Sequence, residues 1–164
     1  MGSSYIMKTL KIILTGMFLL AIWVAPLLAG QEAELKLWKR NKYLYGPCGH
    51  CSYFQGFYIG RDRSDFTEYS LYNMDGYYTA ELTGPAETAV TLYGRRNFVE
   101  DHGYLVIVKE DDRLVEVLDL EAFPNEKWTS VPATKISGAY RSYLKAYPLF
   151  ARSVASVAWK NNAH

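Results

Sequence analysis

Two cysteines and three histidines are all that this 164-residue chain has of each. Two cysteines cannot build a multi-bridge disulfide framework. The histidines, at positions 50, 102 and 164, repeat no known metal-ligand spacing. An excess of one charge sign is also lacking, since 18 basic residues face 17 acidic ones. Without it there is no broad field to attract nucleic acid. There is no Gly-x-Ser-x-Gly elbow, no Asp-x-Asp-x-Asp-Gly calcium loop, no long repeat and no low-complexity tract.

One long uncharged run is present, at the N-terminus. Lys8 and Lys11 precede 18 residues, Ile12 to Ala29, that carry no charge. Pro26 breaks the run near its end, and Ala29-Gly30 offers small residues for cleavage. Charge, apolar core and small residues in that order form an export signal over residues 8–30. Its positive start keeps the N-terminus inside and sends the rest outward, to the periplasm or beyond. An uncleaved short anchor is the alternative, and it would be the chain's one membrane contact. Gln31, not Cys, follows Gly30, so a lipobox is missing. Setting Lys8 and Lys11 aside leaves 16 basic and 17 acidic residues.

Residues 31–164 suffice for one domain with its own core. Eleven aromatics fall between Tyr43 and Tyr78, a density that favours strands. Tyr53–Ile59 reads as a strand ended by Gly60. Asp75-Gly76 between Tyr69–Asn73 and Tyr77–Leu82 is a hairpin signal. Ala89–Tyr93 alternates Val90 and Leu92 against Thr91 and Tyr93. Tyr104–Lys109, the polar turn Glu110–Arg113 and Leu114–Leu118 together read as a second hairpin. Ser137 is placed to cap a helix, with Tyr140, Tyr143, Leu144 and Tyr147 as its apolar stripe. The expectation is a mainly β fold of about seven strands, a small antiparallel barrel or sandwich, OB-like, over 31–136. A helical segment over 137–164 would pack on it.

Val90-Thr91-Leu92-Tyr93-Gly94, Tyr104-Leu105-Val106-Ile107 and Leu114-Val115-Glu116-Val117 resemble the first three strands of small exported OB-fold proteins. The hairpin turn lacks the glycine those proteins often show. The resemblance implies a barrel that in some families binds oligonucleotides or oligosaccharides. Pro47-Cys48 and Cys51 before an aromatic strand are similar to copper-responsive envelope lipoproteins, which carry the lipobox missing here.

Three chemistries are open to Cys48 and Cys51. In an oxidising compartment they close a disulfide, worth roughly 2 kcal/mol for so short a loop. Cys48-Gly49-His50-Cys51 also resembles the active-site motif of protein disulfide isomerases. That implies Cys48 as attacking thiol and Cys51 as resolving thiol, with His50 modulating the thiolate. Pro47 stands where that family has Trp, and the residues after Cys51 suit a strand rather than an activating helix. Two thiolates would otherwise supply half of a zinc or copper site.

Elsewhere, Glu110–Asp112 reads as a solvated hairpin tip, Glu100–Gly103 as turn chemistry, Lys39–Lys42 as a solvated face and Arg61–Arg63 as a polar loop. Tyr53, Phe57, Tyr58, Tyr77 and Tyr78 form a candidate aromatic binding face, able to stack on sugars or dock a protein. No catalytic constellation emerges. The expected function is an exported, non-enzymatic β-domain that binds a protein or glycan partner in the cell envelope. It would use no cofactor and no nucleic acid. A redox protein and a zinc or copper protein, both acting through Cys48 and Cys51, are the alternatives.

Overall fold

The computed structural model describes residues 32–40, 53–68 and 76–159. The export segment, Cys48, His50, Cys51 and the Tyr69–Asn73 arm of the expected hairpin lie outside the described residues.

The described chain is mainly β, in two antiparallel sheets. In order come β1 (Glu34–Arg40), β2 (Tyr53–Tyr58), β3 (Tyr77–Leu82), β4 (Ala89–Tyr93), β5 (Tyr104–Lys109), β6 (Val115–Val117), β7 (Trp128–Val131) and β8 (Tyr140–Lys145). A single helical turn, α1 (Phe150–Ser153), and β9 (Ser156–Ala158) follow. The first sheet has the order β2-β1-β3-β6 and the second β7-β8-β5-β4-β9.

Alternation decides which side of each strand is buried. Leu35 and Leu37 on β1 lie opposite Leu82 and Ala80 on β3, and those lie opposite Val115 and Val117 on β6. The second sheet answers with Val90 and Leu92, Leu105 and Ile107, Tyr140 and Leu144, and Val157. These residues form one buried cluster between the sheets. Side chains of this kind gain about 1.5–3 kcal/mol each on full burial.

Both flanks are closed by main-chain bonds. On one, Arg63 and Val157 exchange N–H to carbonyl bonds of 2.8 and 2.9 Å. Phe66 N–H adds a bond of 3.0 Å to Ala155 O and sends its ring into the core beside Phe57. On the other flank, Gly138 N–H donates to Leu114 O at 2.6 Å and Glu110 N–H to Ala139 O at 2.9 Å. The buried Ser137 hydroxyl accepts from Glu116 N–H at 3.0 Å and donates to Gly138 O at 3.1 Å. Ser137→Ala removes this tie between the sheets. It should lower stability by about 1 kcal/mol, read as a melting temperature about 4 °C lower. An unchanged melting curve would mean that the tie adds nothing.

Three local expectations are corrected. Tyr104–Lys109 and Leu114–Leu118 do not pair as a hairpin. β5 lies between β4 and β8 in the second sheet, whereas β6 pairs with β3 in the first. The Glu110–Arg113 turn carries the chain from the second sheet to the first, where Val115 and Val117 join the core beside Leu82 and Ala80. The helix expected from Tyr140, Tyr143, Leu144 and Tyr147 is mostly strand β8. Its buried positions are Tyr140, Ser142 and Leu144, a period of two. Among the described residues of that segment α1 alone is helical, and β9 then inserts beside β4. Lys39, expected in a solvated run, is 1% exposed and lies on the inner side of β1 with Leu35 and Leu37.

Candidate functional site

The residues expected to form an aromatic face are divided by the pleat. Phe57 is buried opposite Leu35, and its neighbour Tyr58 is 45% exposed on the reverse side. Tyr78 is buried against Phe66, with Lys39 Nζ 5.3 Å from its ring centroid. Tyr77 is half-buried; the Arg152 guanidinium lies 4.4 Å from its ring and donates to its hydroxyl at 2.7 Å. Tyr53 begins β2, paired with Lys39. Of these, Phe57 and Tyr78 serve the core and Tyr58 the surface, so the described side chains do not share one side of the sheet.

A continuous aromatic row lies instead on the outer side of the second sheet. Register puts Tyr93, Tyr104 and Lys145 abreast on β4, β5 and β8. The next outward rank holds Val106, Tyr143 and Trp128 on β5, β8 and β7. Diagonal neighbours on one side of a sheet are within reach of large rings. Phe98 lies 5.7 Å from Tyr93, Tyr93 6.1 Å from Tyr104, and Tyr104 5.9 Å from Tyr143 with planes only 23° apart. Tyr143 is 5.6 Å from Trp128. All four separations fall in the range where aromatic pairs attract.

Accessibility rises along the row. Tyr93 is buried, Tyr104 and Tyr143 are half-buried, and Trp128 on the edge strand is 39% exposed. Val106 and Val108, also outward on β5, are buried. The part of the row open to a ligand is therefore Tyr104, Tyr143 and Trp128.

Two cations frame this open part. Arg141, Tyr143 and Lys145 are the alternate outward residues of β8. The Arg141 guanidinium lies 5.7 Å from the Trp128 ring centroid, and Lys145 Nζ lies 5.9 Å from that of Tyr104. Both distances allow cation–π attraction. Burial, with Tyr143 and Glu100 adding to it, pushes the Tyr104 phenol up to about 12, so it stays a neutral hydrogen-bonding group.

The Phe98 end of the row is held under backbone strain. Asn97 and Phe98 both have φ of 59°. For a bulky residue such as Phe this conformation is a genuine outlier. Asn97 N–H donates to Ser64 O at 2.7 Å and Phe98 N–H to Ser156 Oγ at 3.1 Å. The Ser156 hydroxyl in turn donates to Arg95 O at 2.6 Å. These bonds oppose a cost of order 1–3 kcal/mol per strained residue, and they keep the Phe98 ring on Tyr93.

The acidic groups noted in the sequence do structural work. Asp111 accepts from Arg113 N–H at 2.9 Å and Ala139 N–H at 2.8 Å, and Asp112 accepts from Ala86 N–H at 2.8 Å. The bonds from Ala139 and Arg113 hold the Asp111 carboxyl below its usual range. His102 Nδ1 is 2.8 Å from Asp101 Oδ1, and Arg95 donates to Asp101 Oδ2 at 2.6 Å. These two partners, His102 first, lower the Asp101 carboxyl. The His102 ring rests 4.4 Å from that of Tyr147. Among the described residues no hydroxyl or thiol hydrogen-bonds to His102, and no group of three His, Cys, Asp or Glu is placed to hold a metal.

The row escaped the sequence reading for identifiable reasons. Tyr143 fits a helical stripe as well as a strand. Trp128 belongs to a four-residue strand too short to show a period. No known protein family, curated protein or solved structure matches this chain.

Proposed function

We propose that this protein is a non-enzymatic binding domain that holds a glycan chain on Tyr104, Tyr143 and Trp128. The observation that carries the reading is the row itself, in which rings spaced 5.6–6.1 Å apart cross four strands and open at an edge. A sugar ring has an apolar C–H face and a rim of hydroxyls. Tyr and Trp match both, with a flat apolar surface and a polar tip. Rings fixed on strands lose little freedom on binding, which favours affinity. The export signal over residues 8–30 fits this reading, because it sends the domain to the cell envelope or beyond, where polysaccharides are abundant. Glycan is preferred to a protein partner because the open surface is a narrow line of rings rather than a broad apolar patch.

Affinity electrophoresis or calorimetry of the full chain against a panel of soluble polysaccharides tests the reading. Trp128→Ala and Tyr143→Ala should each weaken binding about tenfold, corresponding to a stacking contribution near 1.4 kcal/mol. Trp128 is exposed, so its variant should melt with the parent. A double variant that binds as the parent does, or a parent that binds no polysaccharide, overturns the reading.

A further inference from the structure

We infer that the glycan held by this row is acidic, bearing carboxylate or sulfate groups that meet Lys145 and Arg141. The inference rests on the glycan reading above and narrows it.

Three successive outward positions of β8 read Arg141, Tyr143, Lys145, so each cation flanks the central ring. Four residues of strand place the two cations about 13 Å apart, one towards each end of the open part of the row. Each rests near a ring of a neighbouring strand, Arg141 on Trp128 and Lys145 on Tyr104. The rings fix where the charges stand. A ligand lying on Tyr104, Tyr143 and Trp128 passes between them.

The two cations differ in how far their charge is already matched. Arg141 Nη2 lies 3.3 Å from Glu87 Oε2, on a side chain that is largely exposed. Such a surface pair is weak and easily exchanged for a ligand anion. Lys145 makes no ion pair among the described residues. Glu100 is near enough to raise the Tyr104 phenol, yet it does not pair with Lys145. The acids next to the turn are used elsewhere, as Asp101 is by Arg95 and His102. Lys127, adjacent to Trp128, is exposed and likewise makes no ion pair among the described residues. Lys145, beside Tyr104, thus carries positive charge that no ion pair among the described residues matches, over an aromatic floor.

Rings with flanking cations also suit single-stranded nucleic acid. Nucleic-acid affinity grows with the number of phosphates neutralised. Two or three cations on a chain of net charge +1 favour the more sparsely charged polymer.

The test uses the full chain and three kinds of probe. The first is an acidic polymer, polygalacturonate and chondroitin sulfate being the two examined. The second is the neutral counterpart of each, carboxyl-reduced polygalacturonate and chondroitin that is both desulfated and carboxyl-reduced. The third is an oligothymidylate. The parent should bind an acidic polymer at least tenfold tighter than its neutral counterpart at low salt, and the gap should narrow as salt rises. Lys145→Gln should weaken acidic binding about fivefold and narrow the gap between acidic and neutral forms by the same factor. Equal affinity for acidic and neutral forms, both lost in Trp128→Ala, overturns the acidity while leaving the glycan reading standing. Binding to neither form overturns both. Tighter binding to oligothymidylate than to either acidic polymer also overturns the inference.

Discussion

Gly94→Ala should be among the most damaging single-methyl additions to this domain, lowering stability by about 3 kcal/mol. Gly94 ends β4 where the chain turns towards Phe98. Its N–H donates to Gly103 O at 3.0 Å, which clamps the 95–103 excursion at its neck. A Cβ added there would press into the carbonyl oxygen of His102. It would also stand 3.1 Å from the His102 carbonyl carbon and 3.3 Å from Cδ2 of the buried Phe150. Two of these three atoms are backbone, so no rotamer change relieves the clash. The turn at Glu100–His102 must lift, the Gly94–Gly103 bond must lengthen, and β5 must be displaced at Tyr104. The melting temperature should fall by about 10 °C, and glycan binding should fall with it because Tyr104 begins the open part of the row. Gly60→Ala is the control. A Cβ at Gly60 meets nothing within 4 Å, so its only cost is the φ of 73°, about 1 kcal/mol. If the two variants melt together, crowding at Gly94 is not what requires the glycine.

The strands were easier to read in the sequence than their partners. Val90 and Leu92 alternate with Thr91 and Tyr93, and the structure turns the first pair inward as that pattern requires. The pattern fails to show that Tyr93 is buried too, because burial on the outer side comes from long-range packing. Leu114–Leu118 contains a strand, but periodicity carries no information about which sheet the strand joins. The pairing that decides it, Leu82 with Val115 and Ala80 with Val117, joins residues more than thirty positions apart. β8 misleads for a chemical reason. An outward Tyr143 in a strand breaks the apolar/polar alternation and leaves Tyr140, Tyr143, Leu144 and Tyr147 at helical spacing. The same outward aromatic stands in the candidate site, so the feature that spoils the strand signal is also part of the proposed binding row. Lys39 shows the limit for charge. A lysine within a basic run looks solvated, and only the register with Tyr78 shows that it faces the core.

The second large effect is expected at Lys109, the other buried lysine, and it should be read against pH. Lys109 is 0% exposed and stands on the inner side of β5, opposite Tyr140. Its ammonium donates to the carbonyl oxygens of Leu82, at 3.5 Å, and of Arg113. Burial holds its pKa below the ordinary 10.5, and Asp111 and Asp112 restore only part of the difference. Burial lowers Lys39 in the same direction. In the window between these lowered values and 10.5 the unfolded chain binds more protons than the folded one, so stability rises with pH. Tyr104 and Tyr140 act oppositely. Burial raises both phenols, Tyr104 to about 12. Their contribution is complete below the unfolded value of 10.0 and is lost as pH climbs through the folded values. Urea midpoints should therefore increase on going from neutral pH towards about 10 and fall above it. Lys109→Met keeps the aliphatic stem and removes the buried charge. It should change stability at neutral pH by less than about 1.5 kcal/mol, and the alkaline rise should shrink to the share owed to Lys39. Lys109→Ala removes the stem as well. The void opposite Tyr140 should then cost about 3 kcal/mol at every pH. If Lys109→Met retains the full rise, the ammonium is solvated in the folded protein and the pH dependence has another source. If Lys109→Ala is as stable as Lys109→Met, the stem contributes no packing, and the role of Lys109 reduces to the charge its two carbonyl partners hold.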